Sequence, residues 1–205
     1  MYTKKVEIYK MKKELIYEEV LSMLNDRVDY KSITLSEVAK RCGMGKSTIY
    51  EYFVSKDEMV FNSIIFYLNR MIKFFSAGFK VTTFRASLKT FIKAVSITMK
   101  ANYWMVMPWT FIDNYVPFLT EEDAETITNM LYKCKDVILA LFTAICEKGE
   151  EEGTLFQIDD VEIGFAYNGI IGTLTEEIDR DFNLESDDAK DLIEDLCDCV
   201  VKQLN

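Results

Sequence analysis

The chain has 205 residues, of which 49% are hydrophobic, and it contains only two prolines and eight glycines. This composition excludes a disordered chain and disfavours sandwiches and barrels, which need many tight turns, so we expect an all-α fold. The formal net charge is −10, yet residues 1–60 hold 11 Lys and Arg against 10 Asp and Glu, whereas residues 61–205 hold 13 against 24. The acidic total therefore does not exclude a nucleic-acid partner for the first part, although phosphate contacts require Lys and Arg.

Several functional classes are disfavoured by residues that the sequence lacks. It contains no histidine, the commonest general base and metal ligand, and no Gly-rich phosphate loop, so we expect neither an enzyme nor a cofactor. Cys197 and Cys199 are two positions apart and would point about 200° apart on a helix, so we expect no metal site. Five cysteines at irregular spacing and the absence of a long uncharged apolar run predict a soluble, cytoplasmic protein.

The first predicted element is an amphipathic helix over residues 4–26. Its apolar positions recur at steps of three and four: Ile8, Met11, Leu15, Ile16, Val20, Met23 and Leu24. Its first half carries the lysines Lys4, Lys5, Lys10, Lys12 and Lys13. These lysines either form a solvated face or contact phosphates.

Residues 33–53 have the pattern of two short helices joined by a sharp turn. Thr34 can cap the first helix, with Glu37 at the capping-box position. Ala39 is small enough for two helices to cross closely, and Gly43 can adopt the left-handed conformation that ends a helix.

The second short helix is predicted over about Lys46–Tyr52. Its helical spacing puts Ile49, Tyr52 and Phe53 on the side that packs, and Ser47, Tyr50 and Glu51 on the free side. Two helices joined in this way form a helix-turn-helix, whose second helix enters the DNA major groove. A pair of packed helices in an unrelated all-α protein could produce the same pattern.

The stretch Val38–Phe53 resembles the signature of the TetR family of transcriptional regulators, with an Ala-containing helix, a Gly turn and then Lys-x-Thr-Ile-Tyr-x-Tyr-Phe. Ser55-Lys56-Asp57-Glu58 follows at the expected distance and forms a capping box for a helix that runs to about Phe75. The specific similarity covers roughly residues 10–60. The chain departs from the family at Arg27–Tyr30, where a Gly is common, at Glu19-Val20, and at Glu51, whose role stays open.

The resemblance implies a DNA-binding domain at residues 1–55 and a ligand-binding and dimerisation domain at residues 56–205. It also implies which residues approach DNA bases or phosphates: Thr34, Lys46, Ser47, Thr48, Tyr50, Tyr52 and Lys56. Hydroxyls and lysine ammonium groups are suitable phosphate donors. For Tyr52 a core aromatic is the alternative to a DNA contact.

Residues 61–119 are unusually rich in aromatic residues and methionine, which suits an adaptable apolar pocket between helices, although such a stripe is also typical of plain core. The segment 102–109 is the best candidate for pocket lining, because Pro108 interrupts the helix pattern where the rings are concentrated. The predicted ligand-binding residues are Phe75, Phe91, Tyr103, Trp104, Met107, Trp109, Phe111 and Tyr115. We expect a small lipophilic or aromatic effector.

Three further helices are predicted: from Thr120 to about Lys148, where Gly149 is expected to end the helix; from about Asp160 to Asp179; and from Asp187 to the end, with Ser186 as its cap. The second contains Gly164, Gly169 and Gly172, each costing roughly 1 kcal/mol against Ala, and close helix approach would compensate. Together the last two helices form half of a predicted four-helix dimer interface.

The sequence thus predicts an all-α protein with an N-terminal three-helix helix-turn-helix domain and a C-terminal helical bundle that dimerises. A homodimer would present two recognition helices about 34–36 Å apart to a palindromic double-stranded DNA operator. Effector binding would release the operator by shifting the population away from that spacing. Repression is what the resemblance implies, and the alternatives are a ligand-independent DNA-organising protein on the same fold and an acidic all-α adaptor.

Overall fold

The computed structural model describes residues 2–26, 28–102, 115–180, 183 and 186–205, which contain helices and no strands. The α-helices, numbered in chain order, are α1 (Tyr2–Asn25), α2 (Leu35–Arg41), α3 (Lys46–Ile49), α4 (Lys56–Ala77), α5 (Phe84–Ala101), α6 (Glu121–Glu151), α7 (Asp160–Asp179) and α8 (Asp187–Gln203). Short 3-10 turns lie at Tyr30–Ser32 and Val116–Phe118. The predicted all-α class is confirmed for this part of the chain.

Side-chain caps fix where several helices begin. The Oγ atoms of Thr34 and Ser55 accept hydrogen bonds from the backbone amides of Glu37 and Glu58, at 3.1 and 3.0 Å. Ser186 caps α8 by accepting from the amide of Ala189. These three predicted caps are confirmed, and they satisfy amides that would otherwise lack a partner in the first turn.

The start of α7 has a complete capping box that the sequence interpretation did not identify. Asp159 accepts from the amide of Glu162 at 2.8 Å, and the Glu162 carboxylate accepts from the amide of Asp159 at 3.0 Å. The Asp-x-x-Glu spacing was the available signal.

The long helix α6 extends past the predicted end at Lys148. Gly149 is buried inside the helix, where an added Cβ would lie 2.8 Å from a Leu155 side-chain carbon and 2.9 Å from Phe84. Gly149 therefore allows Phe84 and Leu155 to pack closely against α6, and it does not end the helix. The glycine with a positive φ near this helix end is Gly153, at 69°.

The chain folds as two compact units that do not coincide with the predicted boundary between residues 55 and 56. One unit comprises Met1–Met71 and Asn102–Tyr132, and the other comprises Ile72–Ala101 and Lys133–Asn205. The predicted boundary concerns functional domains and stays a prediction. Both α4 and α6 are divided between the units, so each of these two helices contributes to both.

The core of the first unit is built from α1, the two short helices and the start of α4. Its fully buried side chains include Ile16, Val20, Val38, Ile49 and Met59. The predicted apolar stripe on α1 is only partly buried, because Ile8, Met11 and Leu15 are 47%, 68% and 47% exposed. The buried part of the stripe begins at Ile16, where α1 contacts α2 and the ring of Tyr17 packs against that of Phe66 on α4 with centroids 4.9 Å apart.

The second unit has an aromatic core between α5, α6 and α7. The ring of Phe142 lies 5.4 Å from that of Phe91 and 6.0 Å from that of Tyr167, between ring centroids. Helix α5 also packs on α8, where Cys197 is buried and Cys199 is exposed, in keeping with their opposite directions on the helix.

No helix among the described residues is long and apolar enough to cross a membrane. In the same part of the chain, no group of three His, Cys, Asp or Glu side chains could hold a metal ion.

Candidate nucleic-acid interface

The turn between α2 and α3 has the geometry that the sequence predicts for a helix-turn-helix. Gly43 has a φ of 64°, in the left-handed region that a side chain would disfavour. The amide of Met44 donates to the carbonyl of Ala39 at 2.8 Å, and Ala39 is only 1% exposed. A small residue at this position lets the two helices cross closely, so the turn sets the direction of α3.

Helix α3 and the turn that follows it have one packed side and one free side. Ile49 and Phe53 are 0% and 1% exposed, which anchors the element in the core. On the other side Lys46 and Ser47 are exposed, and half of the Tyr50 surface is accessible. The predicted division into a packing face and a free face is confirmed.

The α-helical part of this element is shorter than predicted. It ends at Ile49, and the amides of Glu51 and Tyr52 then donate to the carbonyls of Thr48 and Ile49, three residues earlier, at 3.1 and 3.0 Å. Such bonds tighten the last turn of a helix. They bring Tyr50 and Glu51 to the exposed end of the element.

Tyr52 has the surroundings of a core aromatic. It is 9% exposed, and its ring stacks on that of Tyr9 with centroids 4.6 Å apart. Burial raises the pKa of its hydroxyl, which keeps it protonated. This geometry favours the core alternative for Tyr52, and it adds Tyr9 on α1 as a support for the recognition element that the sequence interpretation missed.

Thr34 combines a structural function with a candidate binding function. Its Oγ1 accepts from the amide of Glu37 and the residue is exposed. Since a threonine hydroxyl also has one proton to donate, capping α2 leaves that proton available for a phosphate oxygen. Thr48 is half-buried, so of the predicted contacts on α3 it is less accessible than Lys46 or Ser47.

Lys56, at the start of α4, is engaged within the protein. Its Nζ donates to the carbonyl oxygen of Tyr30 at 3.2 Å and lies 3.9 Å from the centroid of the Tyr30 ring. This is the geometry of a cation–π contact combined with a hydrogen bond. The predicted phosphate contact of Lys56 stays a prediction, and it would compete with these two interactions.

Tyr30 is the centre of a cluster that we call the Tyr30 cluster: Tyr30, Lys56, Asp57, Tyr115 and Phe118. The Tyr30 hydroxyl donates to the Asp57 carboxylate, and burial together with this bond raises its pKa well above the usual range. The Phe118 ring stacks on Tyr30 at 4.7 Å with an interplanar angle of 8°, and the Tyr115 ring meets it edge-on at 5.9 Å.

The Tyr30 cluster ties residues 115–118 to the loop that precedes α2. Tyr115 is 5% exposed, and its hydroxyl donates to the carbonyl of Val28 at 2.8 Å. Sequence patterns could not reveal this cluster, because its members are distant in the chain. Tyr115 thus lies in the first unit, whereas two other predicted ligand-binding residues, Phe75 and Phe91, are buried in the second.

Five predicted ligand-binding residues lie outside the described residues: Tyr103, Trp104, Met107, Trp109 and Phe111. Phe91 belongs to the aromatic core with Phe142, and Phe75 packs edge-on against Phe74 at 5.0 Å. Their assignment to a ligand pocket stays a prediction.

The charges around the helix-turn-helix are partly neutralised within the protein. Arg41 pairs with Glu19 at 3.1 Å and Glu37 at 3.4 Å, which raises the pKa of the guanidinium. Lys46 has no ion pair among the described residues and is exposed. Lys46 is therefore the cation on α3 that is best placed to meet a phosphate.

The buried cysteines are unsuited to nucleophilic chemistry. Burial raises the pKa of the Cys134 thiol to about 11 and that of Cys146 to about 12. Since the thiolate is the nucleophile, these groups are protonated and inert near neutral pH.

Comparison with known proteins relates this geometry to one family. Residues 23–62, which span the end of α1, the helix-turn-helix and the start of α4, match the family model for bacterial regulatory proteins of the tetR family. No curated protein sequence matches the chain significantly.

Solved structures match nearly the whole chain. The TetR family transcriptional regulator PfmR from Thermus thermophilus has a TM-score of 0.62 at 19% identity, covering 93% of this chain and 98% of its own. A TetR transcription regulator from Haloarcula marismortui has a TM-score of 0.66 at 15% identity, covering 95% and 97%.

A third similar structure is the transcriptional regulator FadR from Bacillus subtilis, solved in complex with stearoyl-CoA. Its TM-score is 0.61 at 15% identity, and the match covers 94% of this chain and 99% of that one. All three similar proteins are described as transcription regulators. The chain therefore has the all-helical fold of the solved TetR family transcriptional regulators, and its residues 23–62 match the model for bacterial regulatory proteins of the tetR family.

Proposed function

We propose that the protein is a transcriptional repressor that binds a palindromic DNA operator as a homodimer and is released by a lipophilic or aromatic effector. The observation that carries the DNA-binding part is the two-sided environment of α3. Ile49 and Phe53 anchor the element, while Lys46, Ser47 and Tyr50 are free to contact bases and phosphates.

The dimer is supported by an uncovered face of α7. Val161 and Phe165 are 63% and 65% exposed, and helical spacing puts Gly169 and Gly172 on the same face. Apart from its chain neighbours and the adjacent backbone of α7 itself, a Cβ added at either glycine would meet no atom of this chain within 4 Å. Glycine destabilises a helix relative to alanine, and no close contact within this chain requires a glycine at these positions. Packing of a second copy against this face would explain them.

The effector class is supported by the aromatic residues predicted to line a pocket and by one similar structure. FadR from Bacillus subtilis was solved with stearoyl-CoA, a ligand with a long apolar chain. The predicted residues between 103 and 111 immediately precede Tyr115, which contacts the loop before α2 through Val28 and Tyr30. Displacement of residues 115–118 by an effector would change the support of the DNA-binding helices.

Selection of bound sequences from random double-stranded DNA tests the proposal. We expect the wild-type protein to enrich an inverted repeat, and we expect Ser47→Ala to lower the affinity for it. The control is Tyr132→Ala, which changes an exposed side chain on α6 and should bind normally. Failure to bind DNA in a salt-dependent manner would reject the proposal and favour an acidic adaptor.

Release is tested separately by adding lipophilic compounds, including stearoyl-CoA, to the complex with the selected DNA. A compound that lowers the affinity at least tenfold supports regulation by an effector. Binding that is insensitive to every compound in a broad library would favour a DNA-organising protein on the same fold.

A further inference from the structure

Helix α5 carries a basic ridge within an acidic protein. Its 18 residues include four basic side chains and no acidic one. Arg85, Lys89 and Lys93 are spaced by four residues and therefore lie along one side of the helix.

Helix α8 runs antiparallel beside this ridge and pairs with its first two members. Arg85 donates to Asp198 at 2.7 Å and to Glu194 at 3.0 Å, and Lys89 pairs with Glu194. These cations hold the pKa of Glu194 below its usual range. The carboxylates of α8 are spaced by four residues, so the two helices form a ladder of ion pairs.

The pairing of a basic residue on α5 with an acidic residue on α8 stops at the third position of the ladder. One turn before Glu194 the residue on α8 is Lys190, which lines the same cleft as Lys93, so a lysine stands at the position where the pattern would have a carboxylate. Lys93 has no ion pair among the described residues, and Lys190 reaches only Asp187 on its own helix, an exposed pair at 2.7 Å. An isolated, exposed ion pair of this kind adds little to the free energy of unfolding.

A cleft of about 270 Å³ lies at this third position, lined by Lys89, Thr90, Lys93, Lys190, Ile193 and Glu194. Arg85 and Lys89 balance the charges of Glu194 and Asp198, and Lys190 pairs with Asp187. Lys93 has no ion pair in the part of the chain that the structure describes, so the excess charge in the cleft is positive. The Thr90 hydroxyl donates to the carbonyl of Ala86 at 2.8 Å, which leaves the two lysines as the donors. Ile193 and the lysine methylenes provide an apolar wall.

We propose that this cleft binds a small organic oxyanion, a carboxylate or a phosphate ester, between the ammonium groups of Lys93 and Lys190. The cleft is smaller than the roughly 300 Å³ at which drug-sized sites begin, so the ligand is compact. None of the residues predicted to bind the effector lines it, so this is a second ligand site.

The test is an NMR titration at constant ionic strength, with hexanoate and inorganic phosphate as separate probes. The wild-type protein should show saturable shifts in the amides of residues 89–93 and 190–194. A response to hexanoate alone identifies an organic carboxylate as the ligand class, and a response to phosphate identifies a phosphate group. No saturable shift with either probe would overturn the proposal.

Lys190→Glu is the decisive variant, because it places a carboxylate in the same cleft as Lys93 and completes the ladder. We expect it to retain or raise the melting temperature while weakening probe binding at least tenfold, which separates loss of the site from loss of folding. Lys93→Ala should weaken binding similarly. Lys202→Ala, an exposed lysine in the last turn of α8, is the control and should bind as the wild type does. Equal binding by Lys190→Glu and wild type would contradict the proposal.

Discussion

Tyr50 and Tyr52 are separated by one residue and have opposite surroundings. Tyr50 is 50% exposed, whereas Tyr52 is 9% exposed and stacks on Tyr9. Two positions along a helical turn rotate the side chain by about 200°, so these two tyrosines lie on opposite sides and serve different purposes. Residue type alone could not separate them.

Alanine substitution at the two positions should therefore have different effects. We expect Tyr50→Ala to change the free energy of unfolding by less than about 0.5 kcal/mol and to weaken operator binding. Tyr52→Ala should lower the free energy of unfolding by roughly 3 kcal/mol, since the substitution removes a buried ring and its stacking on Tyr9. Urea unfolding and DNA-binding anisotropy of both variants check this, and equal destabilisation would refute the assigned orientations.

Phe118 supports the loop before α2 through its stacked contact with Tyr30. Removing the ring in Phe118→Ala should cost about 1 kcal/mol of local stability, and hence increase amide hydrogen exchange around Tyr30–Ser32 roughly fivefold. The control is Phe156→Ala, in which a ring that is 69% exposed is removed from the second unit. Unchanged exchange in Phe118→Ala would mean that the Tyr30 cluster does not stabilise the DNA-binding helices.

At the scale of helices, local sequence signals determined most of what could be predicted. Thr34, Ser55 and Ser186 were identified as caps because a cap needs only residues within one turn of itself. The role of Gly149 was misjudged, because its close neighbours Phe84 and Leu155 include a residue 65 positions away. The Tyr30 cluster was missed for the same reason.

The ion-pair ladder between α5 and α8 gives a pH-dependent contribution to stability. Lys89 and Arg85 lower the pKa of Glu194 in the folded protein. A carboxylate with a depressed folded pKa stabilises the protein above its unfolded pKa, near 4.3, and this contribution is lost as the pH falls through the folded value.

Glu194→Gln should accordingly reduce the free energy of unfolding at pH 7 and have a smaller effect at pH 3. The measurement is urea unfolding of wild type and variant at both pH values. Glu125→Gln, at an exposed position of α6 without an ion pair among the described residues, controls for removal of a charge. A Glu194→Gln effect of the same size at both pH values would contradict the claim that the ion pairs of Glu194 stabilise the protein.

At the scale of the whole molecule, the proposed dimer uses the uncovered face of α7 to bring two DNA-binding helices together. Gly172→Arg places a long charged side chain where a second copy is proposed to pack, so we expect a shift from dimer to monomer with unchanged helicity. Light scattering after gel filtration and circular dichroism measure the two quantities. Asn129→Arg adds the same charge at an exposed site on α6 and should remain dimeric; a dimeric Gly172→Arg variant would place the interface elsewhere.

The candidate sites were predictable to different degrees for a physical reason. The DNA-contact candidates Lys46, Ser47 and Tyr50 are close in sequence, and helical periodicity alone gives their exposed side. A ligand pocket is formed by residues from several helices, so aromatic content could suggest Phe75, Phe91 and Tyr115 but could not establish which of them share a surface. The structure assigns Tyr115 to one compact unit and the other two to the second.

The most direct test of the account is the dependence of DNA affinity on the spacing between the two half-sites of the selected operator. Two recognition helices fixed in one dimer should bind tightly when the half-sites are about one helical turn apart, and insertion of about 5 base pairs should weaken binding at least tenfold by turning one half-site to the opposite side of the duplex. Affinity that does not change with spacing would contradict the central claim that a symmetric pair of α3 helices reads the DNA.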